Sequence, residues 1–83
     1  MKRSFILNLD SLTDLTNFCT EISTNIASDV DATYGRQTVD AKSYLGLITI
    51  STHPIQVYIN SENCAEIAKF NEICSKYPIV HEV

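Results

Sequence analysis

Three cysteines (Cys19, Cys64, Cys74) and two histidines (His53, His81) are the side chains of this chain best suited to metal binding or nucleophilic chemistry. Cys64, Cys74 and His81 could in principle share a zinc ion. Structural zinc, however, wants four ligands at tight spacing, and no C-x-x-C pair occurs. Three well-separated cysteines read instead as small apolar side chains of a core. The two glycines, Gly35 and Gly46, lie too far apart to build a phosphate-cradling loop. No nucleophile–base pair and no paired catalytic carboxylates stand out. The sequence therefore implies neither an enzyme, nor a cofactor, nor a metal centre.

The elements that position these residues follow from hydrophobic period. Phe5, Leu7 and Leu9 alternate with Ser4, Asn8 and Asp10, which is a strand with one buried face. Asp10 or Ser11 then offers a side-chain oxygen as a helix cap. Leu12, Leu15, Phe18, Cys19, Ile22 and Ile26 recur at spacings of three and four, an amphipathic helix of about four turns. Its polar face of Thr, Ser and Asn has weak helix propensity, so the helix must be held by packing. Val30, Ala32 and Tyr34 form a second strand, Gly35-Arg36 a turn, and Thr38 to Asp40 the return strand of a hairpin. A short apolar helix follows, capped by Ser43 and holding Gly46. After the break at Thr52-His53-Pro54, Ile55, Val57 and Ile59 alternate as a fourth strand. Asn60 or Ser61 caps a last helix with Ile67, Phe70, Cys74 and Tyr77 on one side, and Pro78 ends it.

The order β-α-β-β-α-β-α predicts an α+β domain spanning residues 1–83, with helices on one face of a four-stranded, mainly antiparallel sheet. Phe5, Leu7, Leu9, Val30, Ala32, Val57 and Ile59 should line the buried face, under Leu15, Phe18, Ile22, Ile67, Phe70 and Cys74. The 83 residues are 45% hydrophobic and 19% charged, an ordinary globular balance with room for one core. Ten acids against six bases give a net charge of −4, which argues against a nucleic-acid partner. No apolar run is long enough to insert in a membrane, and Phe5-Ile6-Leu7 after Lys2-Arg3 is too short for a signal-peptide core. The odd cysteine number fits a reducing compartment, so a cytoplasmic location is expected.

One stretch is more specific. Val39-Asp-Ala-Lys-Ser43-Tyr-Leu-Gly46-Leu47, running from a hairpin into a helix start, resembles the V-N-A-K-S-I-M-G-L signature of HPr, the histidine-containing phosphocarrier family of the bacterial sugar phosphotransferase system. Ser28-Asp29-Val30 lies where such proteins begin their second strand. The resemblance implies an open-faced β-sandwich with its helices packed on a four-stranded sheet. It also implies a regulatory phosphorylation site at Ser43, with Lys42 as a neighbouring positive charge and a candidate for protein docking. Tyr44, Leu45 and Ile48 fall where the family presents an apolar docking patch; their alternative is an ordinary place in the core, to which Leu47 and Ile50 are assigned. Ser43 likewise has a second reading, as a plain helix cap.

The family's acceptor histidine, in a G-[IL]-H-A-R-P-A motif, has no counterpart. Asp10-Ser-Leu-Thr-Asp-Leu-Thr-Asn-Phe18 stands in its place, without histidine, arginine or proline. His53, in a loop, and His81, in the tail, are the remaining imidazoles; Asp14 reads as a favourable charge in a first helical turn. The expectation is a non-catalytic, HPr-like regulatory module that binds protein partners: phosphotransferase components, a serine kinase or a transcriptional regulator. The alternatives are a phosphocarrier with a displaced acceptor and a small α+β ligand-sensing domain.

Overall fold

The computed structural model describes residues 2–51 and 53–82. Eight elements follow in order: β1 (Ser4–Leu7), α1 (Leu12–Asn25), β2 (Asp29–Tyr34), β3 (Gln37–Asp40), α2 (Tyr44–Ile50), β4 (Ile55–Asn60), α3 (Cys64–Cys74) and β5 (Ile79–Glu82). The strands form one open antiparallel sheet in the order β3-β2-β4-β1-β5. The fold is α+β, and the sheet has five strands rather than the four expected.

The fifth strand arises at the end of α3. Pro78 cannot continue a helix, and its carbonyl accepts the Asn8 N–H at 2.9 Å. This brings the β-branched pair Ile79-Val80 alongside β1, with Leu7 opposite Ile79 and a register irregularity between Ile6 and Leu7. This segment shows little alternation in sequence, so period alone does not mark it as a strand.

Alternation decides the rest of the sheet. Phe5, Leu7, Val30, Ala32, Ile55, Val57 and Ile59 are all buried, while Tyr58 and the β3 residues Gln37, Thr38 and Asp40 are exposed. Leu15, Phe18, Cys19 and Ile22 of α1, Leu47 and Ile50 of α2, and Ile67, Phe70, Ile73 and Cys74 of α3 close one core over the buried face. Phe5 and Phe70 lie 5.8 Å apart in a tilted pair, and Phe18 meets Tyr77 edge-on at 5.5 Å. Gly35 closes the β2–β3 hairpin at φ +61°, while Arg36 keeps a negative φ; a two-residue turn of this hand matches the twist of the strands and favours glycine at its first position.

Three local expectations are corrected. Leu12 fits the apolar stripe of α1 by spacing but is 68% exposed, because it stands in the first turn, before the stripe meets the core. Ser11 is the N-cap of α1 by position, yet its side chain makes no capping hydrogen bond. The cap of α3 is Asn63, whose Oδ1 accepts from the N–H groups of Ala65 and Glu66, and not Asn60 or Ser61. Asn60 is held in the ladder opposite Asp29 and donates its amide to Asp31 at 2.7 Å; Ser61 accepts the Asn63 N–H.

Candidate functional site

The residues singled out by the sequence gather at the start of α2. Ser43 is its N-cap, with extended backbone angles, and its Oγ accepts the Gly46 N–H at 3.2 Å. Its carbonyl accepts the Leu47 N–H at 3.0 Å. Ser43 is exposed, so the hydroxyl is at once a cap and open to solvent. A Cβ at Gly46 would sit 3.2 Å from the Cβ of Val39 and 3.4 Å from Ser43 Oγ. The missing side chain lets α2 approach β3 closely while the cap stays in place.

At about 100° per residue, Tyr44, Ile48 and Leu45 fall within an arc of about 100° on one side of α2, and Leu47 and Ile50 fall on the other. The exposures follow this division. Leu45 is 77% exposed, Ile48 38% and Tyr44 37%, whereas Leu47 and Ile50 are buried. A helix of seven residues on a sheet can bury one side only, and this one carries leucine and isoleucine on both. No charged residue occurs from Ser43 to Ser51. The outcome is an uncharged apolar ridge beside an exposed serine, the kind of surface that marks a protein contact.

The loop feeding α2 is held from three directions. Asp40 accepts twice, its carbonyl from the Ser43 N–H and its Oδ1 from the Lys42 N–H, both at 2.9 Å. The Lys42 carbonyl accepts from the Cys19 thiol at 3.4 Å and the Ser23 hydroxyl at 3.5 Å, both on α1. The Lys42 ammonium donates to the Ala27 carbonyl at 3.3 Å. Lys42 is thus half-buried and ties the loop to the α1–β2 connection, where the sequence had suggested a charge beside Ser43. That connection is fastened in turn by Glu66 of α3, whose carboxylate accepts the Ala27 N–H at 2.6 Å and the Ser28 hydroxyl. The Ser28 hydroxyl, followed by the Ala27 N–H, holds the Glu66 carboxyl below its ordinary pKa. Burial raises the Cys19 thiol, which keeps it protonated and able to donate to Lys42. Sequence reasoning missed this network. Its one legible sign was Asp40 two residues before Lys42, a common side-chain-to-backbone turn.

The other candidates do not join this site. Cys64 and Cys74 begin and end α3, so about 15 Å of helix separates them. Cys64, at the first turn of α3, is exposed and corrects the expectation of three core cysteines, whereas Cys74 is buried and its thiol pushed far up by desolvation. The side chain of His81 lies outside the described residues. Among the described residues no group of three His, Cys, Asp or Glu side chains could hold a metal ion. His53 is exposed, and its ring stacks on Tyr34 with centroids 4.4 Å apart and planes 10° apart. This contact between the α2–β4 loop and the end of β2 was not foreseen. Asp14 lies in the first turn of α1, where a negative charge complements the helix dipole.

No helix among the described residues is long and apolar enough to cross a membrane. Compared with protein-family models, with characterised proteins and with solved structures, the chain matches none.

Proposed function

We propose that this chain is an HPr-like, non-catalytic regulatory module of the cytoplasm that binds a protein partner through the outer face of α2. The observation that carries the reading is the ridge of Tyr44, Leu45 and Ile48, exposed beside the capping Ser43. Two features add support. The element order through α3 runs β-α-β-β-α-β-α, as the resemblance implies, with β5 appended. The segment Asp10 to Phe18, where the family carries its acceptor histidine, offers no imidazole. A partner that covers the ridge removes leucine, isoleucine and tyrosine surface from water at about 25 cal/mol per Å². Phosphorylation of Ser43 would set roughly −1.5 to −2 charges at the edge of this ridge and bias the choice of partner. The partner is a phosphotransferase component, a serine kinase or a transcriptional regulator.

The test is a titration of the ¹⁵N-labelled protein with purified Enzyme I of the phosphotransferase system and with a regulator that binds HPr. Saturable shifts confined to the amides of residues 43–51 with at least one of the two, lost in Leu45→Asp, are expected. Absence of any shift with both proteins refutes docking of these two partners through α2. In parallel, intact mass after incubation with phosphoenolpyruvate and Enzyme I should stay unchanged. A gain of one phosphoryl group, abolished by His53→Ala or His81→Ala, would make the chain a phosphocarrier with a displaced acceptor instead.

A further inference from the structure

We draw no further inference here: the strongest candidate, the open cleft between α1 and α3 lined by Asn25, Lys69, Glu72, Ile73 and Lys76, carries nothing because its lysines are offset by Glu21, Glu66 and Glu72 on the same two helices and nothing in the structure shows what covers it.

Discussion

Leu45 and Leu47 lie two residues apart on one short helix and should respond oppositely to the same truncation. Leu47 is fully buried and Leu45 is 77% exposed. Leu47→Ala removes methyl groups from a closed core and leaves a cavity, which costs about 2–5 kcal/mol. A domain of this size has about 4–12 kcal/mol to lose, at roughly 0.05–0.15 kcal/mol per residue. Leu45→Ala removes surface that is already in water, and leucine and alanine are both good helix formers. Its effect should stay within about 0.5 kcal/mol of zero. The assay is urea unfolding followed by far-ultraviolet circular dichroism. With a slope of about 1–1.5 kcal/mol per M for a small domain, Leu47→Ala should lower the midpoint by at least about 1 M, while Leu45→Ala leaves it nearly unchanged. In a partner-binding assay the order should invert, with Leu45→Ala weakening binding far more than it weakens the fold. Equal destabilisation by the two variants would mean that α2 is rotated about its axis. The ridge of Tyr44, Leu45 and Ile48 would then not exist, and the proposed docking surface would fall with it.

Other outcomes follow from the same geometry. Phe18 is fully buried and meets Tyr77 edge-on, so Phe18→Ala should cost about 3–5 kcal/mol. At about 4–8 °C per kcal/mol this lowers the melting temperature by more than about 12 °C; a drop of only a few degrees in calorimetry would contradict the packing of α1 on the core. Glu66 has a folded-state pKa below its ordinary value of 4.5, held there first by the Ser28 hydroxyl. Its contribution is therefore present above that ordinary value and is lost as pH falls through the lower, folded value. Denaturation curves from neutral pH down to pH 3 should show a smaller acid-side loss for Glu66→Gln, and an identical pH dependence would count against the Ala27–Ser28 clasp. Among the three thiols, Cys64 alone should react with a thiol reagent in the native protein, because Cys19 and Cys74 are buried. Fast native labelling of Cys74 would show that α3 does not seal the core.

The order of helices and strands through α3 was legible because each segment carries one clear period. The period of two in Phe5-Leu7, Val30-Ala32 and Ile55-Val57-Ile59 can satisfy only a strand with one dry face. The spacing of Leu15, Phe18, Cys19 and Ile22 can satisfy only a helix. Even the outward ridge of α2 was half visible, since seven residues with leucine and isoleucine on both sides cannot all reach a core. End effects were less legible. Leu12 obeys the period and is nonetheless exposed, and three candidate caps compete within four residues before α3. Periodicity says which face of a helix is apolar, but not where along its length the sheet begins.

Sequence alone, through binary pattern and turn chemistry, determined an α+β fold with a β2–β3 hairpin at Gly35-Arg36 and a serine-capped short helix. These are local properties, set by side-chain period and by the φ angles that glycine and proline allow or forbid. The remaining features depend on contacts between residues far apart in the chain. The strand β5 exists because β1 has a free edge within reach of Pro78. Lys42 is a tether because Ala27, fifteen residues earlier, presents its carbonyl there, and Glu66 draws its partners from a loop 38 and 39 residues away. His53 packs on Tyr34 because the strand order 3-2-4 sets β2 beside β4. Hydrogen bonds and ring contacts of this kind leave no period in the sequence, since a polar residue that clasps a distant loop looks the same as one that faces water.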